Sequence, residues 1–211
     1  MTFTVDRRIA ELLCSRLCHE LVAGVAAINN GVELISEIDP SMFDEAMALI
    51  GSSAKQASAR VQYYRMAYGF AGYEALSSMA AVGELISGLI KTESRYTVDL
   101  PGNAAPTPLQ AGWGKLLLNL TVLGMDCLPR GGLVAPAVTA KDGKAMVSVI
   151  ARGDEVRVPD RYRSILDGKV EAGDVTALNV HAFYTYALAG AIGGGIEIEV
   201  AGGTASLCVR A

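Results

Sequence analysis

The 211-residue sequence predicts an α+β protein: an N-terminal antiparallel helical hairpin that dimerises into a four-helix bundle, followed by an α/β sandwich. Three observations carry that expectation. Apolar residues recur at spacings of three and four over two long stretches, Asp39-Pro40-Ser41 separates those stretches as a turn signal, and strand-like and helical periods alternate beyond Gly69.

Over residues 5–38, Leu21, Val25, Ile28, Val32 and Ile35 form a helical stripe. Asp39-Pro40 ends it, because proline has no amide to donate. A second helix over 41–68 carries Phe43, Ala46, Ile50, Ala54, Ala57, Val61 and Tyr64 at the same spacing, until Gly69 and Gly72 break it. A two-helix hairpin cannot enclose a core, since each helix shows its partner one stripe and the rest of its apolar surface stays wet. Two copies make a four-helix bundle, and Ala23, Ala26, Ala27, Ala46 and Ala54 let the helices approach closely. A homodimer through residues 1–75 is therefore expected.

Further along, 80–90 reads as a helix, 96–100 as a strand, 109–128 as a helix, and 133–140 with 145–151 as a strand pair joined at Asp142-Gly143. Helices over 160–166 and 175–192 follow, then strands over 196–200 and 205–209 joined at Gly202-Gly203. Helices mixed with largely antiparallel strands over 76–211 indicate an α/β sandwich.

Composition excludes several function classes. Twenty-two acidic and 18 basic side chains leave a net charge of -4 with no basic block, so nucleic acid is not an expected partner. Arg16, His19 and Glu20 interrupt the first apolar stretch, and no run reaches the roughly 18 uncharged residues of a membrane span. With no signal peptide or anchor visible, a cytoplasmic protein is expected. Cys14, Cys18, Cys127 and Cys208 include no C-x-x-C pair, which fits reduced thiols.

Of the two histidines, His19 lies about 160° round the first helix from Leu21 and so points away from the apolar stripe, towards solvent. Ser15, Arg16, Ala23 and Asn30 share its face, and Glu20 follows directly. A neutral imidazole is a good nucleophile near pH 7 and can attack phosphorus to give a phosphoramidate. An acidic neighbour can accept a hydrogen bond from the other ring nitrogen and fix the tautomer. Residue type alone leaves open the commoner case, an exposed histidine without a role.

The context narrows it. Cys14-Ser15-Arg16-Leu17-Cys18-His19-Glu20-Leu21-Val22 and Ala27-Ile28-Asn29-Asn30-Gly31-Val32-Glu33-Leu34 resemble the N-terminal signature of the ChpT-type histidine phosphotransferases of alphaproteobacteria. His-Glu-Leu also resembles the H-box of dimeric sensor kinases, and Lys115-Leu-Leu-Leu-Asn119 with Leu128-Pro129-Arg130-Gly131-Gly132 extends the resemblance into the second unit. It implies that His19 is the phosphorylated histidine, with Glu20 as its acidic neighbour, and that Arg16, Asn29 and Asn30 belong to the partner-binding surface, to which the shared helix face adds Ser15 and Ala23. It also implies a carrier relaying phosphoryl groups from the receiver domain of a hybrid histidine kinase to response regulators of the CtrA and CpdR type. Two positions depart from the family pattern: Glu20, where aspartate is common, and Ala23-Gly24, where Ser-Pro is common. Glycine permits the bend that proline enforces.

The same resemblance makes the second unit a histidine-kinase ATP-binding domain that has lost its nucleotide site. Asn119 aligns with the first asparagine of the Mg²⁺-binding helix, but Leu123 stands at the Mg²⁺ position and Ala151-Arg152-Gly153-Asp154-Glu155 replaces Asp-x-Gly-x-Gly. Leucine cannot coordinate a hard cation and alanine cannot accept the adenine hydrogen bond. No cofactor is expected, the Mg²⁺ of transfer being supplied by the partner receiver. An ATP-dependent kinase and a non-enzymatic adaptor for receiver domains are the alternatives.

The remaining candidates are weaker. Gly193-Gly194-Gly195 lies after a helix and before a strand, the reverse of a phosphate cradle, and reads as a helix stop. His181 reads as a packed or surface histidine. Cys14, Cys18 and His19 share one helix without the second cluster that zinc requires, so no metal is expected. Tyr63 and Tyr64 with Arg65 and Tyr68 are hairpin-end core or an aromatic docking patch. Arg7, Arg8 and Arg16 are a basic rim or a solvated face.

Overall fold

The computed structural model of the chain describes residues 7–37, 42–70, 75–100, 108–141 and 144–210. The turns expected at Asp39-Pro40-Ser41 and Asp142-Gly143, and the break at Gly72, lie outside the described residues.

Helix α1 (Arg7–Glu37) runs beside α2 (Phe43–Tyr68), and two glycines a heptad apart on α1 lie close against it. A Cβ on Gly24 would stand 3.0 Å from the Cβ of Ala57, and one on Gly31 would meet Ile50. Leu17, Leu21, Ile28 and Ile35 fill the same row and are half-buried. The glycine at position 24 thus serves close helix approach, and α1 continues through it unbroken.

Two residues of the expected stripe lie outside this row in the single chain. Val25 and Val32 are 52% and 56% exposed, and Phe43, Ala54 and Val61 on α2 are exposed as well. The more buried row lies one step round, at 17, 21, 24, 28, 31 and 35, with 24 and 31 against α2. A bundle helix is apolar over about half its circumference, and spacing does not say which of two adjoining rows its hairpin partner covers.

The last two turns of α2 enter the core of the second unit. Tyr63, Tyr64, Met66 and Ala67 are buried there, which settles the tyrosine pair as core. The Tyr63 hydroxyl donates to the carbonyl of Leu118 at 2.6 Å, and the ammonium of Lys115 donates to that of Gly69.

That unit is a five-stranded sheet, β1 (Tyr96–Val98), β2 (Gly132–Lys141), β3 (Lys144–Arg152), β4 (Glu197–Ala201) and β5 (Thr204–Arg210), in the order β1-β2-β3-β5-β4. β1 pairs with β2 in parallel and every other pair is antiparallel. Alternation places Val134 and Val138 of β2, Val147, Val149 and Ala151 of β3, and Ala205, Leu207 and Val209 of β5 on one buried face. Helix α4 (Trp113–Asp126) lies across that face, with α3 (Met79–Ile90), α5 (Asp160–Leu166) and α6 (Val180–Ala191) around it.

Several boundaries differ from the expected ones. β1 stops at Val98, two residues short. α4 starts at Trp113 because Gly112 sits at φ 89, in the left-handed region. α6 starts at Val180 because Asn179 Oδ1 accepts from the Thr176 amide at 2.7 Å and holds the preceding residues in a turn. Gly131 and Gly132, both at positive φ, link α4 to β2. A Cβ at either would collide with the backbone oxygen of Arg95 or Arg152, so the two glycines fit β1, β2 and β3 together.

Candidate functional site

The imidazole of His19 projects from the middle of α1 and is exposed. Ser15, Ala23, Asn29 and Asn30 are exposed too, so five of the seven residues singled out in the sequence reach solvent. Ser15 returns its hydroxyl to the Glu11 carbonyl at 3.0 Å. Cys14 and Cys18 are exposed free thiols beside them. Burial pushes the thiol of Cys127, the residue that caps the end of α4, up to about 12.

Arg16 and Glu20 behave differently. The Arg16 side chain is only 13% exposed, turned inward beneath the His19 turn, so it is neither an open surface residue nor part of a basic rim. Its Nη2 lies 3.1 Å from Glu20 Oε1 and 4.0 Å from Asp126 Oδ2, at the end of α4. Asp126 in turn accepts from the Tyr162 hydroxyl of α5 at 2.6 Å. Burial works against the guanidinium charge, but the acidic groups around it, Asp126 foremost, more than offset this and hold its pKa raised. Arg16 Nε is buried without a hydrogen-bond partner. Of the other candidate arginines, Arg7 pairs with Glu11 in solvent and Arg8 donates to the Val175 carbonyl at 3.0 Å.

A second layer lies behind Arg16. Tyr68, whose hydroxyl pKa is raised chiefly by burial, bonds to His181 Nδ1 at 2.8 Å, and His181 Nε2 lies 3.1 Å from the carbonyl of Asn119. A carbonyl only accepts, so Nε2 carries the proton and Nδ1 accepts from Tyr68. His181 is fully buried, and burial pushes its pKa down to about 3. It is a packed histidine. From α2, Arg60 donates to the Glu20 carbonyl at 3.3 Å and pairs with Glu93.

Asp126, Tyr162 and Arg60 were not singled out in the sequence, because they reach α1 from α4, α5 and α2 and share no spacing with His19, and Tyr68 was noted only with the tyrosines at the hairpin end. The available signal was Asp126 itself, the one acidic residue of a largely apolar helix, placed at its end.

In the second unit, Asn119 gives its amide to the carbonyls of Ala67 at 3.0 Å and Lys115 at 2.8 Å. Leu123 and Ala151 are buried in the core between α4 and β3, and their side chains hold no oxygen. Gly193 has φ 92, and the Gly194 amide closes on the Ala189 carbonyl at 3.1 Å, an ending of α6. Beside the end of α4, a polar cleft of about 660 Å³ is lined by Arg95, Arg157, Arg161 and Arg163 with Asp126 and Asp160. Among the described residues, no cluster of three or more histidine, cysteine or acidic side chains is arranged to hold a metal. Among the same residues, no helix is long and apolar enough to cross a membrane.

Comparison with known proteins adds three likenesses. The family described as "Histidine phosphotransferase C-terminal domain" matches residues 79–204. The protein phosphotransferase ChpT of Brucella abortus (strain 2308) is 33% identical over 191 residues, 90% of each chain. A solved structure titled as that of a bacterial phosphotransferase superposes with a TM-score of 0.85 at 29% identity, covering 99% of this chain and 98% of that one.

Proposed function

This chain belongs to the ChpT-type histidine phosphotransferase family, and from that premise we propose that His19 takes a phosphoryl group from a receiver aspartate and returns it to another. The observation that supports the assignment is the exposure of His19 on the outward face of α1, within the family's signature. Its unprotonated ring nitrogen attacks phosphorus in line, the N–P bond forms as the O–P bond of the phosphoaspartate breaks, and the donor carboxylate leaves with the electron pair. The other ring nitrogen keeps its proton. Mg²⁺ belongs to the receiver, and this chain contributes position.

The partners we assign, by family resemblance, are the receiver of a hybrid histidine kinase and response regulators of the CtrA and CpdR type. Exposed Ser15, Ala23, Asn29 and Asn30 give such a receiver a small, polar landing surface around His19. The arginine-lined cleft at the end of α4 presents positive charge that suits a receiver's acidic face. A second copy completes the bundle over the exposed row of Val22, Val25 and Val32. We place the chain in the cytoplasm, where its exposed thiols stay reduced. ATP is not the phosphoryl source in this reading, which Leu123 and Ala151 support, and a fluorescent ATP analogue with Mg²⁺ should show no saturable binding.

The deciding experiment incubates the full chain with a receiver domain carrying radiolabelled phosphate on its aspartate. Acid-labile, base-stable label on the wild type and none on His19→Ala is the expected result. An unlabelled wild type overturns the reading in favour of an adaptor that binds receivers without accepting phosphate.

A further inference from the structure

Arg16, one turn before His19, joins two carboxylates that lie far apart in the sequence. Its Nη2 is 3.1 Å from Glu20 Oε1 on its own helix and 4.0 Å from Asp126 Oδ2 at the end of α4. Asp126 is fixed by the fully buried Tyr162, whose hydroxyl donates to it at 2.6 Å. The chain of contacts runs from the rigid core of the second unit, through one carboxylate and one guanidinium, to the turn of α1 that carries His19.

We propose that Asp126, held by Tyr162, is a positioning residue for phosphoryl transfer: it fixes Arg16, and through Arg16 the Glu20 carboxylate and the helical turn presenting His19. The inference rests on the reading of His19 as the phosphorylated residue. Its physical basis is twofold. In-line transfer has little covalent help from the protein and depends on placing the attacking nitrogen, so a small drift of the α1 turn slows the step. A phosphoryl group arriving beside Glu20 also brings like charge, and Arg16 is the cation that offsets it, provided that it stays at Glu20 and does not swing out to water. Side-chain entropy would release a long arginine, and its buried Nε has no hydrogen bond to restrain it. The second carboxylate supplies a further restraint.

The test uses the full chain and a receiver domain labelled on its aspartate, with single-turnover transfer measured over a range of receiver concentrations. Asp126→Asn should lower the rate at saturating receiver by about tenfold while leaving the half-saturating concentration unchanged. Asp126→Glu should restore most of the rate, since the 4.0 Å gap to Arg16 leaves room for a longer side chain. Tyr162→Phe, which removes only the hydroxyl, should lower the same rate in the same direction and serves in place of Asp126→Asn if that variant fails to fold. Wild-type rates in both Asp126→Asn and Tyr162→Phe overturn the inference. So does a defect confined to the half-saturating concentration, which would make Asp126 a receiver contact, and so does failure of Asp126→Glu to rescue. Absence of label on the wild type sinks the His19 reading itself, a result separate from any of these.

Discussion

The side-chain amide of Asn119 donates to the backbone carbonyl of Ala67 at 3.0 Å, joining the helix that covers the sheet to the last turn of the hairpin. Asn119 and Lys115 of this helix both bond to the end of α2.

Replacing Asn119 with Leu removes two buried hydrogen bonds and leaves the Ala67 carbonyl without its donor. A loss of about 1–3 kcal/mol is expected, as for stranding a buried polar group. Urea unfolding followed by circular dichroism measures it, and an unchanged midpoint would show that the tie contributes nothing.

His181 makes stability depend on pH. Its ordinary pKa is near 6.5, and in the folded chain burial pushes it down to about 3. The unfolded chain therefore binds more protons between these values, and stability falls as pH is lowered from about 6.5 towards about 3. Each unit of that window costs up to about 1.4 kcal/mol. His181→Gln should be less stable at pH 8, where the Tyr68 and Asn119 bonds are weakened, yet lose less on acidification. Thermal unfolding at pH 8, 6 and 5 checks both signs, and equal acid sensitivity in the two proteins would refute it.

Much of this was legible beforehand because it is periodic. The order of helices and strands followed from spacing, with turns marked by glycine, and His19 stood out because its neighbours formed a recognisable signature. The identity of the buried row on α1 was not legible, since Val25 and Leu21 are equally apolar and only packing separates them. The surroundings of Arg16 were hidden for another reason. A charged residue beside an exposed histidine looks like surface, and its burial depends on Asp126 and Tyr162, which the fold brings together from more than a hundred residues away.

Two helical glycines should respond in opposite ways. At Gly24 a new Cβ would stand 3.0 Å from that of Ala57, an atom fixed to the neighbouring backbone, so Gly24→Val must separate α1 from α2. A cost of about 1–3 kcal/mol is expected. Gly88, inside α3, has nothing within 4 Å of the same position, and Gly88→Ala should stabilise by about 0.5–1 kcal/mol through the helical backbone alone. Equilibrium unfolding of both variants tests the contrast.

The exposed row on α1 gives the dimer a sharper test than mutation of buried residues would. Val25 and Val32 are more than half exposed in one chain, so an aspartate there costs the isolated hairpin little. In a four-helix bundle built on that row, each charge is duplicated by symmetry and buried, which costs several kcal/mol without a partner cation. Val25→Asp with Val32→Asp should therefore convert a dimer to monomers that keep their circular dichroism spectrum, as read by analytical ultracentrifugation. Leu178→Asp, on an exposed leucine of the second unit, should leave the association state alone. A doubly substituted chain that still sediments as a dimer would place the association surface elsewhere, and the valines would then be apolar residues left in solvent.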